Sequence, residues 1–153
     1  MKKSLAISGI IAVALAVLSG CSTYQAQKVG PTPIMRAEAE IPEDQLLDVG
    51  ISVFHSDELT EEEAEDQGTN NDIRRAESLF IPYHLKNTLQ QSGQWGAVQV
   101  IPAETNSVDL LVKGQILESN GLFLGLKIEV RDATGKKWFS RNYKAEAAES
   151  SYG

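Results

Sequence analysis

Val108-Asp109-Leu110-Leu111-Val112-Lys113-Gly114-Gln115-Ile116 and Leu122-Phe123-Leu124-Gly125-Leu126-Lys127-Ile128-Glu129-Val130 decide the fold. Val108, Leu110, Val112 and Ile116 alternate in the first run, and Leu122, Leu124, Leu126, Ile128 and Val130 alternate without a break in the second. Period two places such residues on one face of a strand, so each run reads as a half-buried strand. Between them, Asn120-Gly121 is the dipeptide favoured by a type I′ hairpin turn, in which both central residues take positive φ. Asp132-Ala133-Thr134-Gly135 is a second turn, and Lys137 to Ala145 a third strand, so the C-terminal part is an antiparallel meander.

Working back toward the N-terminus, Leu47, Val49, Ile51 and Val53 alternate within residues 46 to 54, which predicts a first strand. Thr60 followed by Glu63 fits a capping box that opens a short helix to about Gln67. Asn70 or Asn71 caps the next helix, which runs through Ile73, Ala76, Leu79 and Phe80 and on through Leu85 and Leu89 to Gln91, with Gly93 as its stop. Spacings of three and four put these apolar residues on the face expected to be buried. Pro82 lacks a backbone N–H and is expected to kink this helix or to begin a second one. Val98, Val100 and Ile101 form a short strand ending at Pro102. The expected architecture is α/β of the α+β kind. It has one mixed sheet of about five strands, a proline-broken helix on one face and the meander at the C-terminus. With no final helix before Gly153, the second sheet face is expected to be wet, or else covered by a longer chain or a docked partner.

The N-terminus carries a different message. Lys2 and Lys3 precede an apolar run from Leu5 to Val17, the layout of a signal peptide and too short for a ~20-residue membrane span. Leu18-Ser19-Gly20-Cys21 follows and resembles the bacterial lipobox. That resemblance implies that the Cys21 thiol receives a diacylglyceryl group and that cleavage makes Cys21 the new N-terminus, with palmitate-type acyl chains as the anchor. Ser22, in place of the Asp that holds enterobacterial lipoproteins at the inner membrane, implies the outer membrane, facing the periplasm. Cys21 is the chain's single cysteine and has no disulfide partner. Residues 1–20 thus read as the leader and 21–45 as the lipidated N-terminus and a flexible tether broken by Gly30, Pro31 and Pro33. Residues 46–153 read as one domain.

Without its leader the chain holds 12 basic and 21 acidic groups, a net charge of −9. This sign argues against nucleic acid or an anionic lipid surface as partner. Seven of the ten residues from Asp57 to Asp66 are acidic. They lack the alternate-position ligands and central Gly of a calcium loop, so they read as a solvated acidic helix or a patch that docks a partner.

The residues call for no metal and no cofactor. His55 and His84 stand 29 positions apart with no free Cys to join them, and no glycine loop cradles a phosphate. Ser52, in Gly50-Ile51-Ser52-Val53-Phe54, lacks the second Gly of a nucleophile elbow and reads as a strand residue. An enzyme is not expected.

Phe80-Ile81-Pro82-Tyr83-His84-Leu85 through Ser92-Gly93-Gln94-Trp95, followed by Val98 to Pro102 and by Val108-Asp109-Leu110-Leu111-Val112-Lys113-Gly114, resembles the small α/β domain found at the N-terminus of TolB and in envelope lipoproteins such as LpoB and CsgG. The similarity covers about 60 residues. It implies a domain that acts through protein contacts, and it carries over no catalytic residue. Pro82 and the acidic insert before the helix depart from the pattern.

Three aromatics are candidate contact residues for a partner: Phe123, Trp138 and Phe139, on strands whose second face no helix covers. Cross-strand packing is their other reading. The expected function is that of a lipid-anchored, non-catalytic protein-binding or assembly module of the cell envelope, with an envelope protein as partner. An accessory transport lipoprotein holding an apolar ligand would show an enclosed apolar cavity between helix and sheet. A hydrolase would show a cleft with a Ser or His within reach of a carboxylate. Cys21→Ser is expected to leave a longer, unlipidated protein, checked by labelling cells with a tagged palmitate analogue; equal label on both forms would end the lipoprotein reading.

Overall fold

A computed structural model describes residues 27–28, 33–105 and 107–146. The elements are β1 (Gln27–Lys28), a 3-10 turn (Glu43–Gln45), β2 (Val49–Ser52), β3 (His55–Ser56), α1 (Glu61–Asp66), α2 (Asn71–Ser92), β4 (Val98–Ile101), β5 (Leu110–Ser119), β6 (Phe123–Asp132) and β7 (Lys137–Glu146). They build one mixed sheet in the order β1-β7-β6-β5-β2-β4, with β3 also paired to β5. β2 lies parallel to both β4 and β5, and β5-β6-β7 form the antiparallel meander. The fold is α+β.

Two crossovers make the parallel part possible. α2 returns the chain from β2 to β4 over one face, where Val49, Ile51, Val98, Leu110, Val112 and Ile116 form the core with Phe54 and Val130. The return from β4 to β5 brings Val108 to the other face. Gly50, between Val49 and Ile51, points to that second face. A Cβ there would stand 3.0 Å from Ile101 Cδ1 and 3.1 Å from a Val108 methyl.

Pro82 does not break α2, which runs unbroken for 22 residues. A proline at 82 leaves the carbonyl of residue 78 without its helical donor. Here the Phe54 N–H donates to Ser78 O at 3.0 Å. Phe54 sits where the chain carries one residue more than β5 does: Ile51 pairs with Val112 and His55 with Gln115. The resulting bulge turns the Phe54 ring into the core above Gly114.

The buried side of α2 also differs from expectation in its first half. Arg74, Ser78 and Pro82 are buried, followed by partly buried Ile81, Leu85 and Leu89. Ile73, Leu79 and Phe80 face outward. The bond to Ser78 O fixes the helix's rotation, and the residues at i, i+4 and i+8 around it must then face the sheet.

The hairpin turn is of another kind too. Gly121 has φ 79°, and no other residue type takes positive φ among the described residues, so Asn120 does not adopt the type I′ conformation. Leu122 lengthens the loop, and Asn120 Oδ1 accepts from the N–H groups of Leu122 (3.1 Å) and Phe123 (2.8 Å). Thr60 and Glu63 do form the capping box of α1.

Part of the segment expected to be tether lies against the domain. Ala37 N donates to Ser92 O at 2.8 Å, Gln94 Nε2 donates to Met35 O at 3.0 Å, and Gln27–Lys28 pairs parallel with Ala145–Glu146. Ile34, Ala37 and Ile41 are half-buried in this packing.

Gly114→Ala would drive a Cβ into the Phe54 ring, whereas Gly50→Ala meets only the ends of two side chains. Urea denaturation is expected to show a loss of about 2–3 kcal/mol for the first and about 1 kcal/mol for the second. The Gly114→Ala loss should shrink in a Phe54→Leu background, because the two sites are in contact.

Candidate functional site: open apolar surfaces on helix and sheet

Once the Ser78 side of α2 is buried, its other side is a stripe of Ile73, Leu79, Phe80 and Tyr83, each between 55 and 65 % exposed. Positions 73, 80 and 83 fall within one arc of the helix, and Leu79 adjoins it. The rings of Phe80 and His84 stack at 6.1 Å between centroids, and Lys86 Nζ lies 5.3 Å from the Tyr83 ring centre. Large apolar side chains grouped this way on a surface mark a contact site more often than isolated ones do. The regular spacing gave no warning of it, since the same apolar residues suited a buried face. The usable signal was the i, i+4, i+8 series Arg74, Ser78, Pro82.

The sheet supplies the second surface. α2 packs along β4, β3, β5 and β2, and β7 lies two strands beyond β5. Cross-strand pairing sets Phe139 opposite Val130 and Tyr143 opposite Leu126, on the core side of the sheet but past the helix. Phe139 is 37 % exposed, with the Arg141 guanidinium 5.7 Å from its ring centre.

The three aromatics singled out in the sequence do not form one patch. Phe123 is half-buried on the reverse face, its register neighbour Gly125 paired with Lys144 and the Lys144 ammonium 4.5 Å from its ring centre. Trp138 is the extra residue of a bulge in β7, exposed, and its Nε1 donates to Asp132 Oδ2 at 3.1 Å. Only Phe139 lies on the open half of the α2 side. Cys21 lies outside the described residues.

Charge is segregated along the chain. Between Ala37 and Ile73 there are thirteen acidic residues and no Lys or Arg, whereas residues 127–144 carry six basic and two acidic groups. The first set includes α1, which precedes α2 in the chain. The second is the β6–β7 hairpin.

The arrangement for other chemistry is thin. Among the described residues no group of three or more His, Cys, Asp or Glu could hold a metal. His55 Nε2 and Asp57 Oδ1 lie 2.9 Å apart, both well exposed, at an open cavity of about 210 Å³. Ser56, next in the chain, points with Ile116 to the opposite side of the strand from His55, and its Oγ accepts from Arg74 Nε. Ser52 Oγ donates to the Val112 carbonyl. Neither serine is aimed at the imidazole. The layer between α2 and the sheet is filled by Phe54, Ile51 and Val112 with Ile81, Leu85, Leu89 and Trp95 packed against them. No described helix is long and apolar enough to cross a membrane.

Compared with models of known protein families and with curated proteins, the chain matches none.

On the reverse face, Glu129 accepts from Arg131 Nε at 2.6 Å and pairs with Lys137 Nζ at 3.0 Å. Hydrogen bonds from Arg131 and then Lys137 hold its carboxyl at about 2, against 4.5 ordinarily. Since the folded value is depressed, its contribution is complete above pH 4.5 and is lost as the pH falls toward 2. Glu129→Gln is expected to flatten the decline in stability over that window, measured by urea denaturation at stepped pH.

Proposed function

We propose that this chain is a lipid-anchored envelope lipoprotein whose domain is a non-catalytic docking module for another envelope protein. It is held through Cys21 at the outer membrane and faces the periplasm. The observation that carries the reading is the stripe Ile73–Leu79–Phe80–Tyr83, four large apolar side chains left open on a helix that packs Ile81, Leu85 and Leu89 against the core. A soluble domain gains nothing in folding from such a stripe, whereas a partner that covers it gains buried apolar area at about 25 cal/mol per Å². The acidic run before α2 gives the partner's facing surface a sign: it should be basic where it meets α1. The filled helix–sheet layer favours this reading over a carrier of apolar ligands. The lipobox at residues 18–21 supplies the anchor, and two or three acyl chains hold where one would bind only marginally.

Phe80→Ala and Tyr83→Ala separate docking from folding. Each should change the unfolding free energy by less than about 1 kcal/mol, because neither side chain is core, while a Val112→Ala control should cost about 2 kcal/mol. In crosslinked envelopes the wild-type protein should carry a discrete adduct that both surface variants lose. Retention of the adduct by both would move the contact away from α2.

A further inference from the structure

We propose that the cavity at the first turn of α2 is a binding site for a carboxylate, with the Arg74 guanidinium as its charge partner. Arg74 is only 3 % exposed. A guanidinium removed from water is costly unless a counter-charge accompanies it. This one is met by neutral acceptors, Nε donating to Ser56 Oγ at 3.0 Å and Nη2 to the Ile116 carbonyl at 3.3 Å. Among the described residues no carboxylate lies within ion-pair distance of it: Glu58 and Asp72 pair with Arg75 and Asp57 with His55, while Glu77, one turn further along α2, makes no ion pair.

Among the described residues no acceptor meets Nη1. The fully enclosed side-chain polar atom without a partner, among the described residues, is Glu77 Oε2. Arg74 lines an open cavity of about 210 Å³ together with Ser56, Asn71, Arg75 and Ser78. The planar fork of a guanidinium suits a carboxylate, while Asp57 and Glu58 on the same wall oppose a doubly charged phosphate. The site is separate from the apolar stripe and does not depend on its role. Its ligand is a small organic acid or the free end of a peptide.

The test is a titration of the purified full chain with sodium acetate against sodium chloride at matched ionic strength, followed at the Arg74 Nε–H resonance. Acetate should move that resonance saturably, with roughly millimolar affinity, and leave the Arg131 and Arg141 resonances, far from the cavity, unmoved. Inorganic phosphate should bind several-fold more weakly. In Arg74→Met the acetate-induced shift of the Asn71 side-chain amide, on the wall of the same cavity, should disappear, and the wild-type titration stands even if that variant fails to fold. Acetyl-trialanine as free acid should also bind. Affinity above that of acetate assigns the site to peptide ends, and affinity equal or lower assigns it to small acids. An amide that binds as well as the acid, a chloride response equal to that of acetate, or phosphate binding as tight as acetate overturns the proposal. So does an Arg74 resonance that ignores acetate but moves in Glu77→Gln, since that is the mark of an internal ion pair.

Discussion

The rest of the fold hangs on one hydrogen bond, from the Phe54 N–H to the Ser78 carbonyl. It exists because Pro82 cannot donate to that carbonyl, and because the one-residue bulge between β2 and β3 turns Phe54 toward the helix. A buried carbonyl without a donor would cost on the order of 1–3 kcal/mol, so the proline is tolerable in mid-helix only where the sheet supplies the missing partner. The bond therefore couples three choices: proline at 82, the extra residue before His55, and glycine at 114, where the Phe54 ring fills the space of a side chain. Helix rotation follows from it, and so does which residues of α2 meet solvent.

That coupling explains what the sequence could and could not disclose. The meander was legible because alternation is a local property, and observed pairs such as Val112 with Val130 and Ile116 with Leu126 keep those four residues on one side, although Val108 precedes β5 and meets Gly50 on the other face and Leu122 belongs to the turn. The capping box at Thr60 was legible for the same reason. Helix orientation was not, because Ile73, Leu79 and Phe80 satisfy helical periodicity whichever side is buried. Pro82 was read as a break because a helix considered alone has no donor for residue 78. The type I′ turn failed because a side chain, Asn120, takes up the N–H groups of Leu122 and Phe123 instead of the backbone adopting positive φ at Asn120.

The candidate site shares this history. Phe123, Trp138 and Phe139 were chosen by strand alternation, but Phe123 falls on the reverse face of β6, and the bulge at Trp138 leaves Phe139 opposite Val130 on the core side. The stripe on α2 was hidden inside an apparently ordinary core face. Net charge averaged away the contrast between the acidic segment before α2 and the basic β6–β7 hairpin, although the positions of the charges were in plain view. Charge segregation of this kind sets the orientation in which a partner approaches, even where each individual surface pair adds little affinity.

Geometry also accounts for the open half of the sheet. An α-helix with its side chains is roughly 10 Å across, while neighbouring strands lie about 4.8 Å apart, so one helix shields two to three strands. α2 is aligned with β2 and its neighbours by the Ser78–Phe54 bond, and it therefore serves the parallel part of the sheet. β6 and β7 extend past it, carrying Leu126, Phe139 and Tyr143 on the same side as the core. No rotation of α2 about its own axis could cover both regions at once. Burying its apolar outer stripe on the meander would expose Ile81, Leu85 and Leu89 and give up the bond to Phe54. The two open surfaces are thus products of a single constraint, and they can be closed together only by something that lies across the helix and the hairpin from outside.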